Sequence, residues 1–427
     1  MQAERELRFG IFGTFDVENY GDLLFPLIAE AELSRRLSPL TLRPFSYHGK
    51  TPPDWPYHVT SLTELPGEVG GLDGIIIGGG HLLRFDKDVA PGYDPPSPFI
   101  HHPTGYWLTP ALMALSGGLP VVWNAPGVHG DIPTWAEPLL EFAIGGSAYV
   151  SVRDERSRQA LARFANGTEI NVVPDTVFGV ARLLDMGKPS ADFIRLRDEL
   201  GLADRYIVVQ ATPDLRPFAR FVRNNPRVFA GYKLLALPTG PVHGDDDTIF
   251  GDGLPGIARL PFWPHPLLLA ELIGHAASVV AVSLHLSISA LAFGVPLFRP
   301  AHAFGGKYSI LSGLDGVFRL DEEGGRDPAE FTGMLGRSGT SPAASAALER
   351  LAGHWDRIAA ALLGAGKAPP GRQAVNSLLS KIPGLLAAGH DELAARQEQL
   401  TALYGSSSWR ATVPLRSLGD MWRRRRA

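Results

Sequence analysis

Gly74-Ile75-Ile76-Ile77-Gly78-Gly79-Gly80-His81 is the stretch whose reading decides the fold. An unbroken isoleucine run has no polar alternation, so it predicts a strand buried on both faces, as in a parallel sheet covered by helices. The glycines that follow predict a tight turn at the strand's end. The same grammar recurs on either side. Residues 7–12, 120–124, 148–152 and 170–173 read as strands, and residues 22–35, 107–116 and 155–164 as helices. Strands alternating with helices predict mainly parallel sheets with helices on both faces.

The alternation breaks at residues 181–205, which are charged and helical, and then resumes. Strands are expected at 206–210, 233–237, 278–283 and 295–298, and helices at 264–274 and 286–293. The fold class that follows is α/β, with two Rossmann-like domains facing a central cleft. Its expected divisions are residues 1–183, a helical linker at 184–205, a second domain at 206–336, and a helical extension with a basic tail at 337–427. Within that extension, alanine-rich helical patterns occupy 341–363 and 374–404.

The chain's 427 residues suit two full domains better than one. A formal net charge of −4 gives no basic excess for nucleic acid, and the one dense basic run is Arg423, Arg424, Arg425 and Arg426. There are no cysteines, which excludes disulfides, thiolate metal sites and a cysteine nucleophile, and fits a reducing compartment. The opening Met-Gln-Ala-Glu-Arg-Glu lacks the pattern of a signal peptide, and no apolar stretch has the length of a membrane span. A cytoplasmic location is therefore expected.

In open parallel sheets ligands bind beyond the carboxyl ends of the strands. After the first strand, Asn19-Tyr20-Gly21-Asp22 reads as a turn with Asp22 capping the next helix, or as a cleft carboxylate able to take a hydroxyl proton. Gly78-Gly79-Gly80 reads as a plain turn or as free N–H groups for an anion, with His81 beside it as a surface or a substrate-contacting residue. Arg153 could grip a carboxylate or phosphate with its two-pronged guanidinium, or pair with Asp154 at the surface. Pro174-Asp175 reads as structural. Ser283-Leu284-His285-Leu286-Ser287 joins a strand to a helix, a ready anion site, and a packed histidine is the plain alternative. The segment from Pro238 to Asp247 holds His243 and a carboxylate cluster, but its spacing matches no strong metal motif, so no metal is expected.

In their order along the chain these segments resemble the polysaccharide pyruvyl transferase family. The resemblance rests on Asn19-Tyr20-Gly21-Asp22, Gly78-Gly79-Gly80-His81-Leu82-Leu83, Ser151-Val152-Arg153-Asp154-Glu155-Arg156-Ser157 and Pro174-Asp175. It continues through the segment after Pro238 to Leu284-His285 and Ala290-Leu291-Ala292-Phe293-Gly294-Val295-Pro296. It implies a fold like the two-domain (GT-B-like) glycosyltransferases, phosphoenolpyruvate as donor, no further cofactor, and a pyruvate ketal on a sugar as product. On that scheme His285 is the acid and Asp22 the base. Arg153, Gly79, Gly80, Ser283 and Ser287 hold the donor, and Asn19, His81 and Lys307 touch substrate. One departure stands out: the family's Arg-X-His is Ser283-Leu284-His285 here. Either another cation, Lys307 or Arg84, takes that arginine's place, or the donor differs. A nucleotide-sugar glycosyltransferase and a non-catalytic glycan-binding relative are the alternative readings.

Near the end, Ser408-Trp409-Arg410-Ala411-Thr412-Val413-Pro414-Leu415-Arg416 resembles a tail motif of bacterial surface-glycan glycosyltransferases. Leu415, Leu418 and Trp422 would share one side of a helix next to the arginines. That side suits peripheral contact with the inner membrane face, or packing on the protein itself. The expected partner is a saccharide or lipid-linked saccharide acceptor, with no nucleic acid.

Overall fold

The computed structural model describes residues 5–85, 91–94, 97, 99–100, 102–202, 205–254, 256–336, 341–365, 372–407, 409 and 412. The strands of the first block are β1 (Leu7–Phe12), β2 (Leu40–Ser46), β3 (Thr60–Ser61), β4 (Gly74–Ile77), β5 (Leu83–Arg84), β6 (Val121–Trp123), β7 (Val128–His129), β8 (Val150–Val152) and β9 (Ile170–Val172). A parallel sheet runs β3-β2-β1-β4-β6. A parallel bridge between Val122 and Tyr149 carries the pairing on to β8 and β9, while β5 pairs with β7. The isoleucine run is β4; it is buried along its whole length, with Ile76 set against Ile11 of β1.

The second block contains β10 (Tyr206–Gln210), β11 (Lys233–Leu237), β12 (Ala258–Arg259), β13 (Ser278–Val280), β14 (Leu297–Arg299) and β15 (Val317–Arg319). Its sheet is parallel and ordered β12-β11-β10-β13-β14-β15. That is the doubly wound Rossmann order, and the first sheet follows it through β6. The expected α/β class with two Rossmann-like sheets is thus what the chain adopts. In such sheets the strand order reverses beside the first strand, and a crevice opens there. The loops after β1, β10 and β13 lie at those reversals.

One apolar core crosses both blocks. Phe9, Ile11, Leu24 and Val122 share it with Val208, Leu235, Ile288 and Leu297. At the seam, the helix Tyr20–Ser34 packs on the helices Pro266–Gly274 and Leu284–Ala292. The Tyr20 amide donates to Thr239 O at 2.8 Å, and its hydroxyl donates to Ser289 Oγ at 2.8 Å.

The alanine-rich pattern after residue 341 is helical, as expected. Helix Pro342–Ala360 returns to the first block, where Leu351, Trp355 and Ile358 join the shared core. Arg36 Nε reaches Asp356 Oδ1 at 2.7 Å, and Arg350 Nη2 donates to Val172 O at 3.0 Å. The pattern at 374–404 divides into the helices Arg372–Leu379 and Ile382–Gly405, the second opened by Pro383 in its first turn. Leu415, Leu418, Trp422 and the four arginines lie outside the described residues.

His354 anchors the returning helix. It is fully buried, with Nε2 3.0 Å from Asn124 Oδ1 and Nδ1 3.0 Å from the Tyr149 hydroxyl. A carbonyl oxygen only accepts, so Nε2 donates and Nδ1 accepts; the ring is neutral. Burial first, then the Arg357 and Arg36 charges, push its pKa down to about 3. An unfolded histidine titrates near 6.5, so below that pH the unfolded chain binds a proton that the folded one refuses. Stability should therefore fall as pH drops from about 6.5 toward 3, by up to about 1.4 kcal/mol per pH unit from this residue alone. Denaturant titrations of the wild type and His354→Gln, at pH 7.5 and 5, should show the smaller pH loss in the variant. Equal losses would mean that His354 is protonated without cost.

Candidate active site

The site is built where the loop after β1 meets the start of helix Leu284–Ala292. The helix Tyr20–Ser34 is preceded by Asn19, and Asp22 lies in its first turn. Asp22 is therefore not the cap that the sequence suggested, because helical geometry already begins at Tyr20. Its Oδ2 accepts from Thr14 Oγ1 and Asn19 Nδ2, both at 2.7 Å, and the carboxylate lines the cleft. Gly21 has a different task. A Cβ there would lie 1.7 Å from His285 Nδ1, so only glycine lets the histidine of the second block sit against this helix. The His285 ring stands edge-on to Phe25, with centroids 5.6 Å apart and planes at 88°.

Behind His285 is Asp175, which is buried. One oxygen caps the next turn, accepting from Val177 N at 3.1 Å. The other lies 3.6 Å from His285 Nε2 and 3.6 Å from Arg153 Nη1. Burial alone would raise this carboxyl's pKa. The facing His285 and Arg153 outweigh burial and hold it below its usual value. Both contacts are longer than a hydrogen bond. Arg153 Nε and Nη2, His285 Nε2 and Asp175 Oδ2 are buried without a hydrogen-bond partner among the described residues. Leaving such groups unsatisfied costs about 1–3 kcal/mol each, more when charged. A guanidinium whose side chain is 3% exposed and retains unused donors is poised for an anion.

The surroundings reinforce this. A Cβ on Gly127 would sit 2.6 Å from Arg153 Nε and 2.7 Å from His81 Cδ2, so both side chains lie directly over that glycine. His81 is pushed far below the usual imidazole range by burial, then by Arg153, Lys307, His129 and His285. It is neutral at pH 7 and adds hydrogen-bonding capacity without charge. Lys307 keeps solvent contact at the cleft mouth. Enclosure by the cleft walls and then Arg153 lower its ammonium pKa, with Asp22 opposing and Arg84 adding to the effect. A crowd of cations around few carboxylates raises the local positive potential and favours anionic ligands.

The second block contributes a clamp. Gln210, the last residue of β10, accepts from Val282 N at 2.9 Å and Ser283 N at 2.7 Å through Oε1. Its Nε2 donates to Asp245 at 3.0 Å. Asp245 Oδ2 also accepts from the Thr239 amide and hydroxyl and from Gly240 N. This carboxylate of the acidic loop thus organises the turn after β11. Ser283 caps helix Leu284–Ala292, accepting from Leu286 N.

Among the residues expected from sequence, Asn19, Asp22, His81, Arg153, Ser283, His285 and Lys307 surround one cleft of about 420 Å³. A chamber of about 950 Å³ adjoins it and shares His81, Arg84, Arg153, Lys307 and Tyr308. Gly79, Gly80 and Ser287, expected to hold the donor, are not among the described residues that line either cavity. Space at Gly79 is taken by the Phe25 ring, 2.2 Å from where a Cβ would be. Gly80 has φ +81°, and its Cβ would lie 3.0 Å from Asp22 Oδ1. The Ser287 hydroxyl is buried and donates to Ser283 O at 2.6 Å. Two residues of the site escaped the sequence reading. Gln210 left one signal, a polar side chain ending an all-apolar strand; Asp175 lay in a family-like segment with Pro174 but read as structural.

Gly21→Ala should lower stability by about 1–3 kcal/mol through overpacking and displace the His285 ring. Gly67→Ala, where nothing lies within 4 Å of the added carbon, is the control. Thermal melts and the His285 imidazole NMR signals report both effects. Unchanged signals in Gly21→Ala would show that the ring stays in place and the helix backbone yields instead.

Comparison with known proteins places these residues in a family. No curated protein matches the chain. Solved structures similar to it include UDP-GlcNAc 2-epimerase from Methanocaldococcus jannaschii, at 10% identity and TM-score 0.48, covering 80% of this chain and 95% of that one. Another is Alr3699/HepE of Anabaena, solved with UDP and glucose, at 12% identity and TM-score 0.46, covering 84% of this chain and 100% of that one. The model of the family described as polysaccharide pyruvyl transferase matches residues 19–299, a span running from Asn19 beside Asp22 through Arg153, Asp175 and His285. On that match over most of its length, the chain belongs to the polysaccharide pyruvyl transferase family.

Proposed function

We propose that this transferase moves a pyruvyl group from phosphoenolpyruvate to a sugar of a bacterial surface polysaccharide and closes it as a cyclic ketal. The observation that supports this most directly is Arg153, a buried guanidinium with unused donors amid further cations. Phosphoenolpyruvate offers that pocket a phosphate and a carboxylate on one small molecule.

The chemistry can be assigned atom by atom. A first sugar hydroxyl attacks the central carbon of phosphoenolpyruvate, and Asp22 takes the hydroxyl proton. His285, protonated and backed by Asp175, gives its proton to the methylene carbon, which becomes a methyl group. A second hydroxyl of the same sugar then attacks the central carbon, which bears the phosphate, and returns a proton to His285. Phosphate leaves with the electron pair of its carbon–oxygen bond and takes the proton held by Asp22. Arg153 and Lys307 hold the negative charge that the phosphate gathers. This scheme calls on no metal or cofactor.

His285→Ala and Asp22→Ala should each lower acceptor-dependent phosphate release from phosphoenolpyruvate by about 100-fold or more, with the fold kept by circular dichroism. Near wild-type turnover in either variant removes that residue from the mechanism. Thermal shifts test the donor independently. Stabilisation by nucleotide sugars and not by phosphoenolpyruvate would make the enzyme a glycosyltransferase; stabilisation by neither would favour a non-catalytic glycan binder.

A lipid-linked acceptor would place the enzyme at the cytoplasmic membrane face. No helix among the described residues is long and apolar enough to cross a membrane. We assign peripheral contact to the tail, where Leu415, Leu418 and Trp422 adjoin Arg416 and the final arginines. Basic residues at an anionic surface contribute about 1 kcal/mol each, enough for reversible attachment. Liposomes containing anionic lipid should co-sediment the full chain and not a chain ending at Gly405. Equal sedimentation of the two at low salt would remove the tail as an anchor.

A further inference from the structure

Arg299 ends β14 with its side chain wholly out of solvent. Among the described residues its hydrogen bonds go only to neutral oxygens. Nε and Nη2 donate to Ala303 O at 3.0 and 2.9 Å, and Nη2 also donates to Val282 O at 2.8 Å. Nη1 donates to Ser283 O at 3.3 Å and to the Ser287 hydroxyl. The Tyr308 and Phe304 rings lie 4.9 and 5.9 Å from its central carbon. Among the described residues no carboxylate pairs with it. Burial lowers its pKa to about 10, so it remains charged at neutral pH. A buried charge is costly unless something of opposite sign balances it.

What Arg299 touches defines what it can do. Val282, Ser283 and Ser287 form the turn that presents His285. Ala303 lies on the loop that leads to Lys307. Its positive field reaches Lys307 and adds to the lowering of that ammonium's pKa. Ser283, at the cleft surface, carries no charge, and the guanidinium stands just behind its carbonyl.

We infer that Arg299 is a positioning residue that braces the His285 turn and supplies, from behind Ser283, part of the positive charge that holds the donor's anionic group in the cleft. The missing counter-charge is the ligand itself. This rests on the anion-binding reading of the cleft, but not on the donor being phosphoenolpyruvate or on any turnover.

The test uses the full chain and two probes, inorganic phosphate and phosphoenolpyruvate, titrated calorimetrically into the wild type, Arg299→Lys, Arg299→Met and Arg299→Met with Ser283→Arg. Arg299→Met should weaken phosphate binding at least about tenfold, a loss that shrinks in high salt. Arg299→Lys keeps the charge and loses the planar fork. It should melt lower, like the methionine variant, yet bind phosphate within about threefold of wild type. Ser283→Arg should restore affinity to the methionine variant without restoring its melting temperature. Affinity lost equally in the lysine and methionine variants, in step with melting temperature and without rescue, would make Arg299 a structural brace only and overturn the charge role. Unchanged affinity in both, or a wild type that binds neither probe, would overturn it as well. A wild type that binds phosphate but not phosphoenolpyruvate removes the donor assignment and leaves the Arg299 result standing.

Discussion

Asp175 is a carboxylate sealed from water between a cation of the first block and a histidine of the second, and the cleft depends on it. Without it Arg153 and His285 would face each other as like charges whenever the ring is protonated. With it, the seam between the blocks is matched electrostatically as well as by its shared apolar core. The 3.6 Å separations matter as much as the pairing. They are close enough to fix both side chains in place and too long to exhaust their hydrogen-bonding capacity. The site is ordered before a ligand arrives, yet its donors remain available, which is how preorganised charge aids catalysis.

Much of the fold could be read from sequence because each strand carries its own signature. An isoleucine run needs no distant information to be recognised as buried, and the alternation of strands with helices carries the parallel order. The site was harder for a specific reason. Glycines look alike in sequence, but their causes lie elsewhere in the chain. Gly79, beside a strand end, looked like a ligand loop and in fact yields to Phe25. Gly21 looked like a turn residue and in fact yields to His285, in the other block. Asp175 belongs to a family-like segment, but its role was not legible because both of its partners are remote. The helix after residue 341 was visible as a pattern, whereas the surface that buries it was not.

The cleft also illustrates a balance among its titratable groups. His81 is surrounded by cations and survives there only as the neutral ring, so it can shape a pocket without adding repulsion. Asp22 opposes the cations at the other side, where it eases the crowding on Lys307. One wall therefore favours negative charge on a ligand, while a carboxylate stands opposite, in the place the proposed mechanism gives to its base. That asymmetry suits a reaction joining an anion to a hydroxyl.

The returning helix Pro342–Ala360 has a consequence for how the chain is made. Asn124 and Tyr149 find their partner in His354, and the first block's apolar surface is completed by Trp355 and Ile358. During translation the first block leaves the ribosome long before those residues exist. It must wait through the synthesis of the entire second block with part of its core uncovered, so the block that emerges before the other is finished after it. Such a nascent chain is exposed to aggregation for longer than its domain order suggests, and shielding by a chaperone matters most in that interval.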